Sequence, residues 1–255
     1  MEARTTAFSA LSQSACESSS TGTIGWMLRT LAQRTKNTAH GSIVVARDLW
    51  SSVISSSGPE GSRELYAAWI RQGRPVPPPP AAKHLVILEY AAQHGLYVLV
   101  ETGTYVGDMV AAMYSSFEEV HSIELSTPLY LLARARFAGH RTVHLSYGDS
   151  SILLGRILRD IDRPCLFWLD GHFSGGVTAG GPGGWPLMAE LRSILSHPVK
   201  DHVVLIDDAR YLLGEETGHR APSLDAIRAE ILRSGVLHTV DVQDDIVRVV
   251  PLGTA

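Results

Sequence analysis

The sequence predicts an α/β protein: a doubly wound, mostly parallel sheet of seven strands, with an antiparallel last strand and an N-terminal helical extension. Three observations carry that reading. From residue 81 onward, helical and strand patterns alternate almost without interruption. The strand segments are apolar runs without polar alternation, as in a parallel sheet covered on both faces. The final two strands are joined by too few residues for a parallel crossover, so they run antiparallel.

Each element has a local reason. A helix over residues 81–94 is closed by Gly95, which readily takes the left-handed conformation a helix end requires. The strand 96–101 follows, then a helix over 107–117 and a strand over 120–124. Next come a helix over 128–137, a strand over 142–146, a helix over 150–159 and a strand over 165–170. A helix over 186–196, a strand over 202–207 and a helix over 223–233 complete the alternation. Strands 236–241 and 246–250 close the chain around a turn at 242–245.

Ahead of this domain, residues 81–255, lie a Pro-rich connector at 74–80 and an extension over 1–73. Pro77, Pro78, Pro79 and Pro80 supply no amide donors and favour an extended rod. Within the extension a short helix is expected over 63–71. The first 60 or so residues are rich in Ser and Thr. They hold no acid between Glu17 and Asp48, whereas Arg29, Arg34, Lys36 and Arg47 occur, a composition like that of an organelle-targeting segment. Ile24, Met27, Leu28 and Leu31 also recur at helical spacing, as do Ala46, Leu49, Trp50 and Val53, which reads equally well as core-facing amphipathic helices.

The totals exclude several classes. Of 255 residues, 22 are Lys or Arg and 26 Asp or Glu, for a net charge of −4; no global positive field calls for nucleic acid or an anionic membrane. Cys16 and Cys165 are the only cysteines, so there is neither a disulfide framework nor a thiolate metal site. A reducing compartment fits, and the expectation is a soluble, cytoplasmic protein, with organelle targeting as the alternative. No apolar run reaches the roughly 18 residues of a spanning helix. A small-molecule partner is expected, and a homo-oligomer is allowed.

The first strand of the domain ends in VETGTYVG, with Glu101, Gly103 and Gly107 at the sheet rim where ligands of open parallel sheets sit. A dinucleotide site would show GxGxxG and a phosphate loop GxxxxGK followed by Ser or Thr; neither occurs. An acid at that position repels phosphate and welcomes a cation. Glu124 ends the second strand in VHSIEL, about where an acid grips ribose hydroxyls. Asp149, in Tyr147-Gly148-Asp149-Ser150, is placed either to accept from an adenine amino group or to cap the next helix. Together the three acids suit a ligand carrying an amino acid, a ribose and an adenine: S-adenosylmethionine.

A second acidic group lies further along. Asp170 ends the fourth strand, and Asp207 with Asp208 ends the fifth. If those strands are neighbours, each pair of carboxylates at about 5 Å repels by about 3 kcal/mol at an effective dielectric near 20, so a positive group is required. Three hard oxygen donors favour Mg²⁺, or else Ca²⁺ or Mn²⁺. Consecutive residues point apart, so Asp207 and Asp208 can both ligate only where the backbone turns. The plainer reading is a helix cap, a pair with Arg210 and a solvated acid.

The series VETGTYVGD, VHSIELS, YGDSS, CLFWLDGHFSGG and VVLIDDAR, over residues 81–251, resembles the class I S-adenosylmethionine-dependent methyltransferases and, within them, is similar to the macrocin O-methyltransferase family. The resemblance implies a Rossmann-like methyltransferase fold. It implies that Glu101, Thr102, Gly103 and Gly107 hold the methionine end, Glu124 the ribose, and Asp149 with Ser150 the adenine. Metal-dependent macrocin and catechol O-methyltransferases resemble the arrangement of Asp170, Asp207 and Asp208. The departure is the 37-residue interval between Asp170 and Asp207, enlarged by the glycine-rich stretch 174–184, which reads either as a lid over the substrate or as a disordered insertion.

The expected activity is therefore metal-assisted O-methylation of a sugar or small polyhydroxylated metabolite. The acceptor hydroxyl would lose its proton to Asp170 or His172. Trp168, Phe173, Trp185 and Tyr211 are candidate walls of the acceptor pocket, with Trp168 more in keeping with the core. The alternatives are a non-catalytic S-adenosylmethionine-binding protein and a metal-dependent nucleotide-sugar enzyme.

Overall fold

The computed structural model describes residues 59–170, 185–215 and 221–252. Helix α1 (Pro59–Arg71) leads to α2 (Pro80–His94) and β1 (Val98–Thr102). Then come α3 (Asp108–Met113), β2 (Glu119–Glu124), α4 (Thr127–Arg136), β3 (Val143–Tyr147), α5 (Ser150–Ile157) and β4 (Leu166–Leu169). Helix α6 (Leu187–Ser196), β5 (Val203–Ile206), α7 (Ala209–Leu212), α8 (Leu224–Ser234), β6 (His238–Gln243) and β7 (Ile246–Pro251) complete the chain.

The seven strands form one sheet in the order β3-β2-β1-β4-β5-β7-β6. The first five are parallel, and β7 runs antiparallel to both β5 and β6. The order reverses between β1 and β4, the crevice where such sheets bind ligands. The hairpin turn at Asp244 and Asp245 has φ of 56° and 59°, the left-handed pair that a two-residue connection matched to strand twist demands.

Alternate strand residues feed two cores. Val98, Val100, Phe167, Leu169, Val204 and Ile206 face one layer with Leu154, Leu191 and Ile227. Leu99, Leu166, Trp168, Val203 and Leu205 face the other with Ile87, Val110 and Met113. Burying each such side chain stabilises the fold by about 1.5–3 kcal/mol, which fixes strand register because a one-residue slip would send every one of them into the opposite layer. Trp168 is 1% exposed and belongs to this core.

Several expectations shift. The outer strands β3 and β6 mix half-buried and exposed positions, because each is a sheet edge; β4 and β5 at the centre are continuous apolar runs, buried throughout. The helix expected over 107–117 stops at Met113. The one over 150–159 finishes as a 3₁₀ turn, Leu158–Asp160. Pro80 opens α2 after an extended Pro79, a first-turn position where a missing amide costs nothing. Of the extension, α1 packs against α2; the targeting-segment expectation lies outside the described residues. Among these residues no helix is long and apolar enough to cross a membrane.

Candidate functional site

Glu101 stands in register with Ser122 of β2 and Trp168 of β4. That placement leaves its carboxylate 1% exposed, accepting from the Ser122 hydroxyl, which in turn is 2.6 Å from Thr104 Oγ1. Burial pushes the Glu101 carboxyl up to about 8, the Ser122 bond opposes this, and the charges of Asp170, Glu124 and Asp108 add to it. Those three charges are all negative. Thr102 is buried beside it.

The loop after β1 is held from β2. The amides of Gly103 and Thr104 donate to the Ile123 carbonyl at 3.0 and 3.2 Å. Glu124 accepts from the Tyr105 amide at 2.8 Å through Oε2 and from the Ser126 amide at 2.7 Å through Oε1. Burial raises its carboxyl and these amides counter the rise. Gly107 has φ +81°, and a Cβ there would lie 2.7 Å from Phe137 Cε2, so both backbone and packing demand glycine.

Asp149 caps α5: Oδ1 accepts from the Ser151 amide at 2.9 Å and its hydroxyl at 2.6 Å. Capping, one of its two sequence readings, is in place, with both bonds on one oxygen. Ser150, the first residue of α5, is buried.

Strands β4 and β5 are neighbours, so Asp170 and Asp207 meet at one rim. Asp208 has φ 56° and ψ 48°, the left-handed conformation that costs a non-glycine residue roughly 1 kcal/mol. That is the backbone turn two consecutive ligands require, and one carboxylate oxygen from each of Asp170, Asp207 and Asp208 lies within 4.8 Å of the others. Cations of the chain already reach this cluster. Lys83 of α2 pairs with Asp207. Arg210 bonds Asp208 at 2.8 Å and also pairs with Asp245 of the β6–β7 turn. Burial alone would pull the Lys83 ammonium down, but Asp207, Asp170 and Asp208, in that order, outweigh it and hold it above its usual range. Burial, then the charge of Asp170, pushes the Asp207 carboxyl up, and Lys83 works against both.

A cleft opens beside these acids, lined by Asp170, Asp207, Trp185, Leu187 and Glu190. Trp185 and Tyr211 pack edge-on with ring centroids 6.0 Å apart. Glu190, in the first turn of α6, is 1% exposed with Oε1 lacking a hydrogen-bond partner. Burial pushes its carboxyl up to about 7. Sequence reasoning missed both Lys83 and Glu190. Each left a signal: Glu190 interrupts the apolar row Leu187, Leu191, Ile194, and Lys83 stands in line with Val86 and Ile87. His172, Phe173 and the glycine-rich stretch 174–184, with the catalytic and lid roles expected of them, lie outside the described residues.

Sequence comparison finds no matching family model and no matching curated protein. Solved structures do match. An O-methyltransferase from Bacillus cereus in complex with SAH is 15% identical at a TM-score of 0.50, with 80% of this chain and 97% of that one covered. A putative caffeoyl-CoA O-methyltransferase from Staphylococcus aureus gives 13% identity, coverage of 82% and 99%, and a TM-score of 0.49. The O-methyltransferase TomG from Streptomyces achromogenes, in complex with SAM, gives 15%, coverage of 82% and 97%, and 0.48. At such identities the likeness concerns architecture alone: the chain has the Rossmann-like fold of the class I methyltransferases, its strands in the order set out above.

Proposed function

We propose that the protein is an S-adenosylmethionine-dependent O-methyltransferase acting on a hydroxyl of a sugar or another small polyhydroxylated metabolite. One observation carries the cofactor: Glu101 is buried at the switch point, bonded to a neutral hydroxyl, with the negative charges of Asp170, Glu124 and Asp108 around it. A ligand bearing an ammonium and a sulfonium relieves that field, and a diphosphate aggravates it. This disfavours the nucleotide-sugar reading. The B. cereus structure of the same fold, bound to SAH, supports the same choice, and the sugar-type acceptor rests on the resemblance to the macrocin family.

In this reading Glu101 and the loop to Gly107 hold the methionine end, Glu124 the ribose, and Asp149 with Ser150 the adenine edge. Because a sulfonium methyl is already activated, the chain's task is to align the acceptor and remove its proton. Asp170, which lines the cleft together with Trp185, is the proton acceptor, with His172 as the second candidate. The donor set of Asp170, Asp207 and Asp208 fits a hard divalent cation such as Mg²⁺. Such a cation would lower the pKa of the bound hydroxyl.

Isothermal titration with S-adenosylmethionine, NAD and a nucleoside diphosphate tests the cofactor. Only the first should bind. Asp170→Ala should lower turnover by about 10²–10⁴-fold while cofactor affinity stays within about threefold; collapse of affinity would refute the division of roles. The ion pairs of Lys83 and Arg210 with the acids favour a second reading, in which the chain neutralises its own cluster and works without metal. Undiminished turnover after chelation would select it. A protein that binds S-adenosylmethionine yet turns over no acceptor would be a binding module.

A further inference from the structure

A second set of metal-type ligands lies at the opposite end of β2. Glu119 and His121, two residues apart, share a face of β2, and His144 of β3 stands in register with His121. Glu119 lies five positions from Glu124, about 16–17 Å of strand, and His121 three positions, about 10 Å, so these groups stand apart from the acid rim. The two imidazoles stack with centroids 4.7 Å apart, and Glu119 Oε2 is 3.2 Å from His121 Nε2. One ligand atom from each residue lies within 4.8 Å of the other two.

We propose that Glu119, His121 and His144 bind a borderline divalent transition ion, Zn²⁺ foremost, as a clip between β2 and the edge strand β3. A tetrahedral ion with bonds of about 2.0–2.1 Å spaces its donors about 3.3 Å apart, so the Glu119–His121 pair already stands at the required separation. His144 is exposed and closes the remainder by rotating its own side chain. Two imidazoles and a carboxylate select Zn²⁺, Co²⁺ or Ni²⁺ over the hard ions that suit the rim.

The carboxylate is also oriented from behind. Arg163 donates to Glu119 Oε1 at 2.8 Å, leaving Oε2 toward the imidazoles, and a second bond to Glu118 at 2.6 Å offsets part of the guanidinium charge. Such outer contacts fix a ligand's geometry. The buried pair His197 and His202 does not compete: the two rings bond each other at 2.9 Å, and their other nitrogens bond the Leu158 carbonyl and the Cys165 amide. The clip fits its place, because β3 is one of the two half-exposed edges of the sheet and gains less from core burial than the inner strands.

The test uses tag-free protein in excess Mg²⁺, which occupies hard-oxygen sites, titrated with Zn²⁺ by calorimetry and with Co²⁺ by visible absorption. One equivalent should bind with nitrogen-ligated tetrahedral Co²⁺ bands. His144→Ala and Glu119→Gln should each weaken binding by at least about tenfold. Far-ultraviolet circular dichroism should match the parent in both variants. Affinity unchanged in both variants, or no uptake of either ion by the parent, overturns the site. Neither result bears on cofactor binding, so the clip and the methyl-transfer reading stand or fall separately.

Discussion

The two halves of the strand-end rim hold their acids in opposite ways. At β1 and β2, Glu101 and Glu124 are bonded by a hydroxyl and by backbone amides, neutral donors that orient a carboxylate without cancelling its charge. At β4 and β5, Asp207 and Asp208 are met by Lys83 and Arg210, full charges that do cancel it. The first half is thus left without a countercharge, and Glu101, its carboxyl raised to about 8, holds a proton that a cationic ligand would replace. The second is nearly closed in the absence of a ligand, and an incoming cation must displace or share what is there.

Removing Lys83 strikes hardest at this contrast. Lys83→Met leaves Asp207, a buried acid, without its countercharge, a loss of about 3–5 kcal/mol visible as a lower Tm. Added Mg²⁺ should recover part of that loss and bind at least about tenfold tighter than to the parent. An unchanged Tm and Mg²⁺ affinity would mean that the ammonium does not govern this half of the rim.

A mutation in the first half should cost less stability and more affinity. Glu101→Gln keeps the Ser122 partner but loses a charge-assisted bond worth about 1.5–3 kcal/mol, or roughly 10–100-fold in S-adenosylmethionine affinity. The pH dependence is diagnostic. With its carboxyl raised from 4.5 to about 8, the empty protein binds a proton that the unfolded chain releases, so parental stability falls as pH climbs through that window. A cationic ligand binds the ionised form, so parental affinity rises with pH up to about 8. In Glu101→Gln the affinity slope should vanish and the stability slope should shrink, Asp207 and Glu190 still supplying their share, as titrations near pH 6 and pH 9 would show.

The smallest effect separates the two roles of Asp149. Asp149→Ser retains a helix-capping oxygen, whereas Asp149→Ala loses about 1 kcal/mol of stability. If the carboxylate also contacts adenine, the serine variant keeps its Tm and binds the cofactor several-fold more weakly. Equal affinity would reduce Asp149 to a cap.

How much of this was legible in the sequence follows from which forces are local. The alternation of elements and the rim positions of Glu101, Glu124, Asp170 and Asp207 follow from strands ending in acids, a pattern written along the chain. The convergence of Asp207 and Asp208 was stated as a condition, a backbone turn, and the left-handed Asp208 meets it. What escaped was whatever arrives from elsewhere in the chain. Lys83 is 124 residues from Asp207, and no spacing rule links them. The mixed exposure of β3 and β6 was overlooked because edge status depends on strand order, which becomes visible only once the sheet is assembled.

The hairpin turn at Asp244 and Asp245 carries a consequence for how the rim is built. Asp245 accepts from the Arg210 amide at 2.8 Å, its carbonyl receives the Ala209 amide at 2.8 Å, and its side chain holds the guanidinium that faces Asp208. The rim at Asp207 and Asp208 is therefore completed by residues almost forty positions further along, so the geometry of the acid pair depends on the last hairpin of the sheet being in place.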